Sequence, residues 1–239
     1  MPEGIFAAAA GMAAQSARLD SIANDVANAN TDGYQQVRTG FRDLVYDKEL
    51  GVSIGAGAAA VDLGRSTVQG PLHQVDNPLA LAIQGPGYFQ VRTASGTTAL
   101  TRAGDFQLDG NGEIVTSGGA RLVPPIVLPK GAQATDVSIS GDGVVRVGKT
   151  QIGAVQLVDV PAPAGLQSTG DGLFAPTQAS GAIAPAKGGT LVQGSLEGSN
   201  VDMTTALVDM TDAQRSYSLD SRVIQVQDQL LQIANQLRA

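Results

Sequence analysis

Apolar residues near the start of the chain recur every seven positions, which is the spacing of a helix that packs against another helix. No proline interrupts residues 3–30, and the turn-forming residues Asp32 and Gly33 follow. The pattern therefore predicts a helix over about 3–30. Its predicted packing face consists of Ile5, Met12, Leu19, Ile22 and Val26.

The end of the chain carries a second and longer apolar stripe. Its spacing alternates regularly between four and three, and Met210 and Tyr217 extend it toward the middle of the chain. The pattern predicts a helix that begins near Val201, with Asn200 or Ser199 as its N-cap and Asp202 in its first turn. A helix of about 35 residues would be roughly 50 Å long. The stripe consists of Leu219, Val223, Val226, Leu230, Ile233 and Leu237.

Helical stripes most often form the core within a single chain. Here the two stripes lie at opposite ends of the sequence and together exceed what one pair of helices can bury. We expect the N-terminal helix to be the first partner of the C-terminal stripe, and further copies of the same helices to cover the rest. The stripes therefore predict self-association.

Between the two ends, the pattern changes to short alternating segments separated by turns. Asp109 to Gly112 and Gly141 to Gly143 each favour a β-hairpin, whereas the Gly/Ala/Pro-rich segment 170–189 is predicted to be irregular. The predicted strands cover 80–83, 88–92, 106–108, 113–115, 137–139, 144–147 and 151–160.

These elements predict an α+β fold class. The terminal helices form a discontinuous, coiled-coil-like helical domain, into which an all-β domain is inserted. The predicted boundaries give a terminal helical assembly domain of 1–33 and 199–239 and an extended linking region of 34–75 and 186–198. The β-rich outer domain is predicted to comprise 76–185.

Composition narrows the classes of function. Charged residues make up 15% of the chain and the net charge is −7, which gives no basic stripe for nucleic acid. The absence of cysteine excludes disulfides and cysteine-based metal sites. The only charged residue before Arg18 is Glu3, unlike the positive start of a secretory signal. No apolar stretch approaches the roughly 20 residues that span a bilayer, so we expect no membrane insertion.

The residues that could carry chemistry are better explained as turns. Gly51, Gly55 and Gly57 lack the spacing and the following lysine of a phosphate loop. Asp109, Asn111 and Glu113 alternate like calcium ligands, but the twelve-position loop of an EF-hand is missing. His73 near Asp76 has no nucleophile beside it in the sequence. We therefore predict no catalytic residue, cofactor or metal.

Four blocks of sequence resemble the bacterial flagellar basal-body rod and hook proteins. The first is GMAAQSARLDSIANDVANANTDGY at 11–34, and the others lie at 77–89, 101–119 and 194–217. They occur in the order of that family and span nearly the whole chain. The motif residues are Asn24, Asn28, Asn30, Gly33, Tyr34, Asn77, Pro78, Gly198, Ser199 and Asn200.

The resemblance implies a structural subunit, not an enzyme, that polymerises into a helical tube and transmits torque from motor to hook. The length argues against the hook protein. Segments 41–46, 54–57 and 214–217 are closer to the distal rod protein, with the proximal rod protein as the alternative. The short stretch Asp47 to Ser53 departs from the distal pattern, where a longer loop is tied to rod stiffness.

The resemblance further implies partners and a location. The partners are copies of the same chain, other rod and hook subunits and the flagellar export apparatus, and the location is the flagellar basal body. Export would occur without a cleaved signal peptide. The rival from another class is a soluble β-domain that binds a ligand and is dimerised by its terminal helices. That rival predicts a closed oligomer, whereas a rod subunit forms an open polymer.

Overall fold

The computed structural model describes residues 3–44, 47–49, 52–55, 57–129 and 131–237. The chain divides into two compact units. The helical unit comprises Met1–Ala27, Val37–Leu63 and Asp202–Ala239, and the β unit comprises Asn28–Gln36 and Gly64–Val201.

The helical unit contains helices α1 (Glu3–Ala27) and α2 (Met203–Gln236). Both ends of the chain are thus helical, as predicted, although α1 stops three residues short of the predicted end. Within the described ranges, neither helix is long and apolar enough to cross a membrane. Strands β1 and β4 pair in one ribbon, and β2 pairs with β3 in another. Their bounds are β1 Val37–Asp43, β2 Asp47–Glu49, β3 Val52–Ile54 and β4 Ala58–Arg65.

The β unit is built on an antiparallel sheet with the strand order β16-β17-β8-β7-β11-β10-β9, to which β15 and β18 add beside β7. Smaller pairings join β12, β13 and β14, β6 with β19, and β5 with β20. The bounds are β5 Leu72–Gln74, β6 Leu81–Gln84, β7 Tyr88–Arg92, β8 Thr98–Thr101, β9 Phe106–Leu108, β10 Ile114–Thr116, β11 Arg121–Leu122, β12 Val137–Ile139, β13 Val144–Val147, β14 Thr150–Ala154, β15 Leu157–Asp159, β16 Gln167–Gly170, β17 Leu173–Ala175, β18 Ala184–Pro185, β19 Thr190–Gln193 and β20 Ser195–Glu197.

Strand β7 contributes buried apolar side chains on both of its faces, namely Tyr88 on one face and Phe89 and Val91 on the other. Phe89 and Val91 point into the main core, where the Phe89 and Phe106 rings meet edge to face at 5.1 Å. Tyr88 points into a second core on the other side, against Phe174 at 6.3 Å. This central strand therefore anchors both cores of the β unit.

Both predicted hairpins are present. Leu108 pairs with Ile114 across the first turn, and Ile139 pairs with Val145 across the second. In each turn the sequence supplies glycines and acidic or amide residues that tolerate the required backbone angles. Short-range turn chemistry was therefore sufficient to locate these elements.

The prediction that 170–189 is irregular was correct for most of the segment but missed the end of β16 and strands β17 and β18. Asp171 and Gly172 have φ values of 52° and 68°, and they turn β16 back onto β17. Two consecutive positive φ values are typical of a two-residue hairpin turn with the sequence Asp-Gly. Phe174 of β17 is 3% exposed, so burial of one aromatic side chain outweighs a composition that favours loops.

The single strand predicted at 151–160 is divided in the structure. Strand β14 pairs with β13, whereas β15 pairs with β7 and β18. The chain changes partners at Val155 and Gln156, which no local sequence pattern indicates. Residues 34–75, predicted to be an extended linking region, contain β1 to β5, and residues 186–198 contain β19 and β20.

Replacing Phe89 tests how far the β unit depends on its main core. Phe89 is fully buried, so Phe89→Ala leaves a cavity and is expected to lower the free energy of unfolding by about 3–5 kcal/mol. Urea titration followed by far-UV circular dichroism measures the change. Val127→Ala, at a side chain that is 53% exposed, serves as the control, with an expected change within about 0.5 kcal/mol. Equal effects of the two substitutions would contradict this assignment of the core.

Candidate assembly surfaces

Small and polar residues form the contact between α1 and α2. A Cβ added at Gly11 would lie 2.9 Å from Oδ2 of Asp220, and one added at Gly4 would lie 3.4 Å from Nε2 of Gln227. From the first pair to the second, the position moves back by seven residues in α1 and forward by seven residues in α2. The two helices therefore run antiparallel. Arg18 Nη2 donates to Asp209 Oδ1 at 2.8 Å in the same contact.

Two alanines continue this contact along α2. Ala206 and Ala213 are 2% and 0% exposed, and with Asp220 and Gln227 they recur every seven residues. Small residues at this spacing let two helices approach closely. The sequence contained this pattern of small residues, but the prediction of packing faces considered only large apolar residues and did not include it.

The predicted stripe of α2 faces away from α1. Only its extension Met210 is half-buried. The expectation that α1 covers this stripe was wrong, because α1 occupies the side of α2 that carries Ala206 and Ala213. The remaining residues are between 42% and 85% exposed, namely Tyr217, Leu219, Val223, Val226, Leu230, Ile233 and Leu237.

The predicted residues of α1 are more buried than those of α2. Ile22 is 9% exposed, and Ile5, Met12, Leu19 and Val26 are half-buried. A different side of α1 is open to solvent. It consists largely of small residues at alternating spacings of three and four, namely Phe6, Ala9, Ala13, Ser16, Asp20, Ala23 and Ala27.

Several motif residues meet in one part of the β unit, which we call the junction: residues 33–36, 65–70 and 197–200. Gly33 N donates to Glu197 O at 2.7 Å. Gly33 has a φ of +70°, and an added Cβ would lie 2.4 Å from the backbone nitrogen of Ala103. Glycine is therefore required there both by conformation and by space.

Asn200 is bonded to both other segments of the junction. Its Oδ1 accepts from Gln36 N at 2.7 Å, and its Nδ2 donates to Ser66 O at 3.2 Å and to Val68 O at 2.7 Å. Its backbone N–H donates to Tyr34 O at 3.3 Å. Asn200 is therefore not an N-cap, because its side chain is occupied within the β unit.

Arg65 adds a second connection to the junction. Its Nη1 donates to Gln35 O at 2.8 Å, and its guanidinium carbon lies 5.4 Å from the centre of the Tyr34 ring. The Phe174 ring lies 5.9 Å away from the same carbon. Contacts of a cation with aromatic faces contribute roughly 0.5–2 kcal/mol each. The Arg65 side chain therefore helps to fix the position of the motif residue Tyr34.

A buried ion pair lies beneath the junction. Arg102 Nη1 donates to Glu197 Oε2 at 3.0 Å, and both side chains are almost fully buried. Gly70 N donates to the other carboxylate oxygen, and Arg102 Nη2 donates to Gly85 O. Removing one partner of such a pair leaves an uncompensated buried charge. The Arg102 guanidinium also lies over the Tyr88 ring, and burial raises the pKa of that phenol.

The other motif residues form local contacts of their own or are exposed. Asn77 Oδ1 accepts from Leu79 N, and its Nδ2 donates to Phe106 O. Pro78 O accepts from Gln193 Nε2 at 2.7 Å, Gly198 N donates to Pro71 O, and Ser199 Oγ accepts from Val201 N. Near the end of α1, Asn28 forms a turn with Thr31, whereas Asn24 and Asn30 are exposed.

The residues considered for catalysis or metal binding have structural roles. His73 Nε2 lies 3.5 Å from Asp32 Oδ1. Asp109 Oδ1 accepts from the backbone N–H groups of Glu113 and Asn111, which lowers the pKa of that carboxyl. Within the described ranges, no three metal-ligating side chains come together.

The structure describes only some of the glycines that were considered as a phosphate loop. Gly57 packs against α1, where an added Cβ would lie 2.8 Å from Ala10 Cβ. Gly51 lies outside the described residues, as does Leu50 in the short stretch from Asp47 to Ser53. Strands β2 and β3 flank those two positions.

Comparison with known proteins identifies the family. The chain matches family models described as flagella basal body rod protein at residues 5–35, flagellar hook protein FlgE/F/G D1 domain at 82–147, and flagellar basal body rod FlgEFG protein C-terminal at 192–237. The flagellar basal-body rod protein FlgG of Caulobacter vibrioides is 39% identical, over 99% of this chain and 100% of that protein. The chain belongs to the flagellar basal-body rod protein family.

Other relatives support the same assignment. The rod protein FlgG of Borreliella burgdorferi is 34% identical over 100% of this chain and 99% of its own length, and that of Bacillus subtilis is 34% identical over 97% of each. The flagellar hook protein FlgE of Brucella abortus is 38% identical but covers 57% of this chain and 34% of its own length. The full-length matches are therefore to rod proteins.

The first turn of α2 in this rod protein is capped by Asp202, not by Asn200 or Ser199. Asp202 Oδ1 accepts from Thr204 N at 2.9 Å and from Thr205 N at 3.3 Å. These bonds satisfy backbone donors that lack partners within the helix. The bond from Thr205, followed by that from Thr204, lowers the pKa of the Asp202 carboxyl.

Asp202→Asn tests the cap, since asparagine keeps the acceptor oxygen but cannot ionise. A lowered pKa in the folded state means that ionised Asp202 stabilises α2 above the ordinary pKa of 3.8, and that this contribution is lost as the pH falls through the folded value. We expect the difference in helix content between the native chain and the variant to shrink below that pH. Circular dichroism between about pH 2 and 6 measures it.

Asp212→Asn, at an exposed position of the same helix, is the matched control. A difference between the native chain and Asp202→Asn that stays constant over this range would contradict a charged cap.

Proposed function

We propose that this chain is the distal rod subunit of the bacterial flagellum and that it polymerises, with copies of itself, into a helical tube that transmits torque from motor to hook. The observation that carries the proposal is the exposed stripe of α2. Six large apolar side chains from Leu219 to Leu237 are at least 46% exposed and follow a strict heptad spacing. A stripe of this length requires a partner, since contiguous exposed apolar surface marks interaction sites.

A second copy of the chain is the partner that fits this stripe. The solvent-facing side of α1 offers small residues such as Ala9, Ala13 and Ala23 at the same alternating spacing. Large side chains on one helix pack well against small ones on another, in the manner of knobs and holes. Because the two surfaces differ, their pairing is heterologous, and a heterologous contact whose rotation does not close into a ring gives an open helical filament.

The distal assignment is supported by the full-length similarity to FlgG proteins. It also agrees with the resemblance of segments 41–46, 54–57 and 214–217 to the distal rod protein. The proximal rod protein is the alternative within the family. Val45, Tyr46 and Ala56 in those segments lie outside the described residues.

Assembly also accounts for the terminal helices. In the monomer the stripe of α2 stays exposed, so these helices are expected to be marginal in isolation. Contact with neighbouring copies would add the burial that offsets their ordering entropy. In the polymer the helices would form a coiled-coil-like inner wall of the tube.

The same properties of the terminal helices support a hypothesis about how the chain is exported. A chain with marginal ends can be delivered unfolded through the flagellar export apparatus, without a cleaved signal peptide, and then captured at the growing tip. Other rod and hook subunits would be its neighbours in the basal body. The family supplies this expectation, and the exposed stripe of α2 is consistent with it.

Replacing two stripe residues separates polymerisation from folding. Val223→Ser combined with Leu230→Ser removes large apolar groups that the monomer leaves exposed, so monomer stability should change little. Filament yield should fall roughly tenfold or more, because each side chain loses its burial in the interface. Sedimentation and electron microscopy of concentrated protein measure the yield.

The matched control is Gln225→Ser combined with Gln229→Ser, at exposed polar positions of the same helix. Filaments that form equally well from both double variants would show that this stripe is not the assembly surface.

Limited proteolysis of the purified monomer, with mass spectrometry of the fragments, tests the marginal ends. We expect rapid loss of about residues 1–30 and 200–239 and survival of the β unit, whose apolar side chains form packed cores. Protected termini together with a closed dimer would instead favour a ligand-binding β-domain dimerised by its helices.

A further inference from the structure

The chain passes between the helical unit and the β unit at four points, after Ala27, Gln36, Leu63 and Val201. Force that travels along the chain from one unit to the other must cross these peptide bonds. The hydrogen bonds near these crossing points in the β unit therefore determine how such a force is distributed within the unit.

Three of the four crossing points adjoin the junction. Gln36 is the last residue before one crossing, Ser66 lies just after the next, and Asn200 lies just before the last. The amide of Asn200 bonds directly to Gln36 N and Ser66 O, and Ser66 N donates in turn to Gln36 O at 2.8 Å. A closed set of hydrogen bonds thus links the three passages within the β unit.

Only an amide side chain of this length satisfies these partners. Gln36 presents an N–H, whereas Ser66 and Val68 present carbonyl oxygens. An amide offers one acceptor oxygen and two donor hydrogens, which matches this set. An aspartate would place its oxygens against two carbonyls, and an alanine would leave all three backbone groups without this partner.

We propose that Asn200 is a mechanical cross-link, which shares force among the three passages where they leave the β unit. The proposal rests on the torque-transmitting role proposed above. Without the side-chain bonds of Asn200, force arriving through α2 is carried by the backbone bonds of this segment, namely those of β20 to β5, of Gly198 N to Pro71 O and of Asn200 N to Tyr34 O. With the cross-link, the same force also loads the passages at Gln36 and Ser66, so several bonds must break together.

Pulling single molecules in two directions tests this. The chain has no cysteine, so attachment sites can be introduced in pairs. Asp212→Cys with Gly110→Cys loads the chain from α2 into the β unit, whereas Gly110→Cys with Lys149→Cys loads the β unit internally. All three positions are exposed, and nothing lies within 4 Å of a Cβ added at Gly110.

Asn200→Ala should weaken the first direction selectively. At a fixed force, the unfolding rate of the β unit is expected to rise roughly tenfold when it is pulled from Asp212, as for the loss of one or two net hydrogen bonds from the barrier. It should change less than about twofold when the β unit is pulled internally. Asn30→Ala, at an exposed asparagine outside the junction, should leave both rates unchanged.

Arg65→Met keeps the test decisive if Asn200→Ala does not fold. It removes the bond to Gln35 O and the contacts with Tyr34 and Phe174, and it should show the same dependence on direction. Equal acceleration in both directions would mean that Asn200 contributes only to general stability, and no acceleration in either would mean that it has no mechanical role. Either result would overturn the proposal. Filament formation is measured separately, so a failure of the rod function would remain distinguishable from a failure of the cross-link.

Discussion

The packing of α1 on α2 through small residues is the constraint on which the candidate assembly surfaces depend. Gly4, Gly11, Ala206 and Ala213 let the two helices approach closely on a side of α2 that does not carry its stripe of large apolar residues. Because a helix side can face only one neighbour, this choice leaves the stripe from Leu219 to Leu237 directed elsewhere. The intramolecular contact on one side of α2 thus leaves the stripe on another side exposed and available for the proposed assembly.

The β unit obeys the opposite rule, since its large apolar side chains pack into cores of its own. Phe89 and Tyr88 anchor separate cores on the two faces of one strand, and the buried pair of Arg102 and Glu197 is matched by backbone donors and acceptors. Such a unit is stable without neighbours. The chain therefore combines a body packed around its own cores with helices that leave an apolar stripe exposed, a division that agrees with the proposed assembly.

Sequence patterns predicted the terminal helices, both hairpins and the α+β class, because heptad spacing and turn residues act over short distances. They did not predict which side of α2 faces α1, since only large apolar residues were interpreted as a packing face, and the recurrence of small residues every seven positions was not considered. The role of Asn200 was equally hidden, because its partners are backbone groups more than 130 positions away. The strand at Phe174 was missed since a composition rich in glycine and alanine outweighed one buried aromatic residue in our interpretation.

The junction also limits the order in which the chain can fold. Gln36 and Asn200 are 164 positions apart, so their bond closes a loop that contains nearly the whole β unit. A chain that emerges end-first from a narrow conduit cannot close this loop until both residues are outside, whichever end leads. Chains that lack either residue consequently lack the finished junction, so the body of the subunit is completed only after the whole segment between them has been delivered.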